Sequence, residues 1–200
     1  MVRPFTAALA AFAALVLTAA CGAQELEELQ TDAFVPVLGN PDGDVTIVEY
    51  FDYQCPFCRR AHPQVMEAVE RDGNVRLILR DWPVFGETSE YASRMVLATV
   101  YQDRYAEALD AVMTFEGSFA RQSVDEALVS AGVDLERASA DLEANADEIE
   151  AFLARNDAQM RAIGARGTPA FVVGEFLIPG MVEAGMLLDA IEAARERQGG

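Results

Sequence analysis

An apolar run, Phe5 to Leu17, opens the chain behind a single basic residue, Arg3. Small residues Thr18, Ala19 and Ala20 follow, then Cys21. A positive start, a short apolar stretch and a small-residue exit form a secretory signal over residues 1–23. The stretch is too short for a comfortable membrane span. Residues 24–44 change character. The acidic tract Glu25 to Gln30 and the turn chemistry of Asn40-Pro41-Asp42-Gly43-Asp44 read as a linker.

Val45 to Phe51 is rich in β-branched and aromatic residues and predicts a buried strand. A helix is expected from within Cys55-Pro56-Phe57-Cys58 to about Arg71, ended by Asp72-Gly73-Asn74. Val75 to Arg80 predicts a second strand, completing a βαβ unit. From about Gly86 the apolar period becomes helical: Tyr91, Met95, Ala98, Tyr101, Tyr105, Leu109 and Val112 share one face. Ser123 with Glu126 reads as a capping box, and Asp134 and Asp147 as caps of later helices. After Gly164 the strand pattern returns, with Ala170–Val173 and Phe176–Ile178 flanking a Gly174-Glu175 turn. A last helix, about Glu183 to Arg197, is expected to bury Met186, Leu187, Ala190, Ile191 and Ala194. The pattern predicts an α/β fold whose sheet is split, at 45–86 and 165–197, by a helical insertion at 87–164.

Charge narrows the partners. Thirty-three acidic residues oppose fifteen basic ones, all arginine, for a net charge of -18. Such a surface repels phosphate backbones, which excludes nucleic acid as a natural partner. It equally disfavours electrostatic docking on anionic lipid. At 52% hydrophobic and 24% charged, the chain can bury a real core. Three cysteines are too few for a disulfide scaffold, so their positions carry the information.

Cys21 fits two readings. A small residue before it and Gly22 after it match a lipoprotein processing site, with a lipid on Cys21. That pattern usually places an aliphatic residue three before the cysteine, where this chain has Thr18, and cleavage after Ala20 or Ala23 satisfies a small-x-small rule. Both readings place the chain in the periplasm or cell envelope, where disulfides persist. Only the first anchors it to a membrane.

The remaining pair is separated by two residues at the expected first turn of a helix. There Cys55 meets the unpaired backbone N–H groups and the dipole, both of which favour a thiolate. A thiol so placed titrates at about 3.5–7.5 rather than about 8.5. A stabilised thiolate favours the reduced form and makes the disulfide an oxidant. Pro56 suits the first helical position because its missing N–H would be orphaned anyway. Cys58, about one turn further on, is placed to close the ring. A structural zinc site would need four ligands; only His62 and acidic side chains remain besides the pair. An inert disulfide at a strand-to-helix junction is uncommon in an exported chain.

Phe51-Asp52-Tyr53-Gln54-Cys55-Pro56-Phe57-Cys58, with Gly167-Thr168-Pro169-Ala170-Phe171 downstream, resembles the DsbA-like thiol–disulfide oxidoreductases of the thioredoxin superfamily. The resemblance covers roughly residues 36–195 and implies a thioredoxin-like fold carrying the helical insertion. It implies that Cys55 is the nucleophile and Cys58 the resolving thiol. It makes Pro169 a cis-proline facing the dithiol and presenting backbone to substrate, with Thr168, Pro56 and Phe57 beside the substrate groove. Glu49, six residues before Cys55, takes the position of a buried acid that relays a proton to or from Cys58. The alternative for Glu49 is an outward-facing strand residue. His62, one turn after Cys58, reads as an ordinary helix residue.

The implied activity is disulfide exchange with exported proteins bearing free thiols, reset by a membrane redox partner and needing no bound cofactor or metal. Phe57 stands where the best-known oxidase of the family has a histidine, which lessens the expected thiolate stabilisation. Threonine before the cis-proline also occurs in isomerase-type relatives. The lean is towards a dithiol oxidase. A reductase or isomerase of the same fold is the alternative, and an anchored binding lipoprotein with a structural disulfide the second.

Overall fold

The computed structural model describes residues 34–162 and 164–199. The expected signal at 1–23, Cys21 and the linker as far as residue 33 lie outside the described residues. Strand β2, Val45–Phe51, is the centre of a five-stranded sheet ordered β1 (Leu38–Gly39), β3 (Val75–Asp81), β2, β4 (Ala170–Val173), β5 (Phe176–Pro179). All seven of its residues are buried, as its run of β-branched and aromatic side chains requires.

Helix α1, Pro56–Asp72, carries the chain from β2 to β3, Val75–Asp81. The two strands pair in parallel, from Val45 opposite Val75 to Phe51 opposite Asp81. Pro56 occupies the first turn of α1, and Gly73, at φ 73°, ends it with its N–H bonded to the Val69 carbonyl. Cys58, Ala61, His62, Val65, Ala68 and Val69 form the buried stripe of α1 at helical spacing.

The chain returns to the sheet through β4, Ala170–Val173, antiparallel to β2 with Glu49 opposite Phe171 and Tyr50 opposite Ala170. Strand β5, Phe176–Pro179, completes a hairpin around Gly174-Glu175, and Gly174 adopts φ 57°. The pairing of β2 with β4 brings the residues just before β4 to the end of β2 from which α1 departs. The last helix, α7, Ala184–Gln198, packs on α1. Arg195 fixes that arrangement, its guanidinium donating to both Asp44 and Asp72 at 2.7–2.8 Å.

Five helices separate β3 from β4: α2, Glu87–Ala98; α3, Tyr105–Thr114; α4, Arg121–Ser130; α5, Leu135–Ala144; and α6, Ala146–Ala162. A 3-10 turn, Thr99–Gln102, joins α2 to α3. The α/β class, with helices inserted between the two halves of the sheet, is as expected. Helix α6 returns to the sheet face that carries Tyr50 and Arg80: Tyr50 donates to Gln159 at 2.9 Å, and the Arg80 guanidinium lies 5.6 Å from the Phe152 ring centroid.

Several local expectations change. Leu38–Gly39, inside the segment read as linker, forms β1 and pairs antiparallel with β3 at the sheet edge. Helix α4 begins at Arg121 behind Ala120, so Ser123 lies within its first turn and is not the cap. Asp147 likewise lies inside α6, which begins at Ala146. Asp134 does cap α5, accepting from the Arg137 N–H at 3.0 Å. Met186 is 54% exposed, because the stripe of α7 that meets the core runs through Leu187, Ile191 and Ala194.

Candidate active site

Cys55 is the residue before the first turn of α1, extended at φ −67° and ψ 117°. A tight turn delivers it there, with its N–H bonded to the Asp52 carbonyl at 3.0 Å. Both thiols are free and buried, with Cys55 at 1% and Cys58 at 0% exposure. Across the β2–β4 pairing stands the second sequence motif. The Thr168–Pro169 peptide is cis, and the Cys55 Sγ lies 3.4 Å from the Thr168 carbonyl oxygen. Residues 113 positions apart thus meet at one thiol. Pro169 is buried, Thr168 half-buried, and Pro56 and Phe57 exposed on the rim, Phe57 at 51%.

The two thiols are driven in opposite directions. The hydrogen bond from Cys58, opposed by burial and helped by Thr168 and the backbone N–H groups of Cys58 and Phe57, lowers Cys55 to about 5. Burial, then the hydrogen bond to Cys55, holds Cys58 far above the ordinary thiol range. The pair therefore has one ready thiolate and one thiol that keeps its proton.

Glu49 does not face solvent. It is fully buried in β2, and neither carboxyl oxygen has a hydrogen-bond partner among the described residues. Burial raises it to about 8, so it is largely protonated at neutral pH. Its charge would act on Cys58, holding that thiol's proton more tightly. Alternation could not place Glu49, because helices cover both faces of β2 and every position is interior.

Asp52 was not singled out from sequence, and it organises the loop. Its carboxylate is buried and accepts four hydrogen bonds: from the Gln54 N–H at 2.7 Å, Val84 N–H at 2.6 Å, Phe85 N–H at 3.0 Å and Ser89 hydroxyl at 2.7 Å. These bonds tie the turn before Cys55 to the loop after β3 and to α2. The only local sign was an aspartate two residues before an N–H it can bond; its other partners lie more than thirty residues away. His62 is also more than an ordinary helix position. It is 2% exposed and its Nε2 lies 3.1 Å from Asp110 on α3, joining α1 to the helical insertion. Among the described residues, no group of three or more His, Cys, Asp and Glu side chains could hold a metal ion.

A thioredoxin family model matches residues 32–193. The chain belongs to the thioredoxin family. A thioredoxin-like oxidoreductase from Silicibacter pomeroyi DSS-3 is 43% identical, with a TM-score of 0.81 over 84% of this chain and 96% of that one. The catalytic domain of Proteus mirabilis ScsC is 27% identical, with a TM-score of 0.75 over 86% and 95%. Among curated proteins, the Na(+)/H(+) antiporter NhaA 1 of Mycolicibacterium gilvum is 26% identical over 162 residues, 80% of this chain. The chain spans about a quarter of the length of that antiporter and of several others that it matches, 26% in this case.

Proposed function

We propose that this chain is an exported dithiol oxidase that passes the Cys55–Cys58 disulfide to other exported proteins. One observation carries the reading: a Cys55 thiol lowered to about 5 stands at a helix start, 3.4 Å from the residue before cis-Pro169. A substrate thiolate attacks Cys55 Sγ. The Cys55–Cys58 bond breaks and its electron pair goes to Cys58, which takes a proton from Glu49. A second substrate thiolate then attacks the substrate sulfur of the mixed disulfide. The substrate disulfide forms and Cys55 leaves as a thiolate. The substrate loses two electrons, and a membrane redox partner accepts them when it reoxidises the dithiol. Thr168, Pro169, Pro56 and Phe57 line the approach for an extended substrate segment.

Magnitudes favour this direction. At pH 7 a thiol titrating near 5 is about 99% thiolate, against about 3% for an ordinary thiol, a gain of about thirtyfold. Lower basicity costs an attacking thiolate about 25- to 55-fold over the same interval. Cys55 therefore gains nothing as an attacker. As a leaving group its gain is unopposed. A protonated Glu49 beneath Cys58 suits the same direction, since the departing Cys58 needs a proton.

Export rests on the N-terminal signal pattern, and a lipid on Cys21 would hold the protein at the envelope membrane. Among the described residues no helix is long and apolar enough to cross a membrane. The direction is tested by mixing the oxidised protein with a reduced, unfolded disulfide protein. The expected result is one substrate disulfide per Cys55–Cys58 pair consumed, with recovery of substrate activity. A protein that leaves reduced substrate untouched and only cleaves or reshuffles existing disulfides is a reductase or isomerase.

A further inference from the structure

A second acid lies buried at the end of β3, outside every motif in the sequence. Asp81 is 0% exposed, and Ser93 is the hydroxyl set against its carboxyl. It pairs with Phe51 in the parallel register, two residues beyond the Glu49–Leu79 pair, so Glu49 and Asp81 project from the same sheet face. Its backbone is pinned: Asn156 on α6 donates to the Asp81 carbonyl at 2.9 Å, and the next N–H, that of Trp82, bonds to Phe51 at 2.8 Å. The phenols of Tyr53 and Tyr105 are fully buried, and each lies within electrostatic reach of both Asp81 and Glu49. Neither phenol has a hydrogen-bond partner among the described residues.

Buried polar atoms are ordinarily paired, and an isolated one costs about 1–3 kcal/mol. Here Glu49 and two phenols are buried without hydrogen-bond partners among the described residues, beside a second buried acid. A purely structural position would be filled at lower cost by an apolar side chain. We propose that Asp81 is a positioning residue of the exchange reaction, sharing with Glu49 the proton that passes to and from Cys58. The other groups facing Asp81 are Asp52, Ser93 on α2, Tyr53 and Tyr105 on α3. Asp52 raises it and Ser93 lowers it, but burial dominates and brings Asp81 to about 8, beside Glu49 at about 8. Both acids thus hold a proton at neutral pH. When Glu49 protonates the departing Cys58, Asp81 can supply the proton that Glu49 has given up. On the return step both are available to accept one. The inference rests on the reading of Cys58 as resolving thiol and Glu49 as its proton partner.

The test is the reduction of the oxidised protein by a small dithiol, measured from pH 5 to 9.5 and corrected for the ionisation of the attacking thiol. Wild type, Glu49→Gln, Asp81→Asn and the double variant are compared. Wild type is expected to show a broad two-proton limb. In Asp81→Asn the limb should narrow to one proton. In the Glu49→Gln background, Asp81→Asn should change the rate by less than about twofold. An Asp81→Asn profile that superimposes on wild type, beside a changed Glu49→Gln profile, overturns the role of Asp81 alone. An unchanged Glu49→Gln profile overturns the underlying assignment of Glu49. Should Asp81→Asn fail to fold, infrared titration of the wild-type protein decides. Two protonated carboxyls lost together between pH 6 and 9 support the shared proton, and a single one contradicts it.

Discussion

Replacing Cys55 with serine is expected to abolish disulfide transfer, lowering the rate of substrate oxidation by at least about a thousandfold. No sulfur–sulfur bond can form at that position, and Cys58 cannot take over. Cys58 is fully buried, and that burial with the Cys55 hydrogen bond keeps its proton in place. The companion Cys58→Ser should differ in kind. Its Cys55 still exchanges with a substrate disulfide, but no second thiol resolves the product, so the mixed disulfide accumulates. Mass spectrometry of the acid-quenched reaction reads both outcomes. Transfer surviving in Cys55→Ser, or an adduct mapping to Cys58, would place the nucleophile elsewhere.

The second large effect is on stability. Glu49 titrates near 8 in the folded protein against 4.5 for a free glutamate side chain. Between those values the folded state binds more protons than the unfolded state, so the contribution of Glu49 is complete below about pH 4.5 and declines as pH rises through about 8. The full span is on the order of 3–5 kcal/mol, a large fraction of the stability of an ordinary domain. Asp81, raised from 3.8 to about 8, acts in the same sense. His62 acts oppositely: burial lowers it, so its contribution is present above about pH 6.5 and is lost on acidification. Comparing Glu49→Gln with wild type isolates the one acid. The variant should match or fall below wild type at pH 5 and exceed it by several kcal/mol at pH 8.5 in denaturant unfolding of the reduced proteins. Equal slopes of stability against pH would show that Glu49 is not buried as described.

What could be read in advance was whatever is written locally. The cysteine pair, Pro56 at the helix start and the Gly174-Glu175 turn each depend on neighbours in the chain. Thr168-Pro169 was recognisable by its motif, although its meeting with Cys55 depends on the pairing of β2 with β4. The surroundings of the site are not local. Asp52 finds Val84, Phe85 and Ser89 only because β3 ends beside β2. His62 finds Asp110 only because α3 packs on α1. Asp81 sits in the apolar strand sequence Val75-Arg76-Leu77-Ile78-Leu79-Arg80-Asp81, where it reads as an end-of-strand polar residue. Its burial follows from helices that close over it later in the chain. Ser123 and Asp147 cap well in principle, yet the chain enters each helix at or before the preceding residue, so neither marks the start.

The account turns on Cys55 being a better thiolate than an ordinary cysteine, which makes its disulfide an oxidant. Equilibrating the protein with defined glutathione mixtures at pH 7 measures this directly, with the Cys55–Cys58 state read by alkylation and mass. The expected potential lies between about −120 and −200 mV, so that millimolar glutathione reduces the pair. A potential near −270 mV, that of a thioredoxin-like reductant, would contradict it.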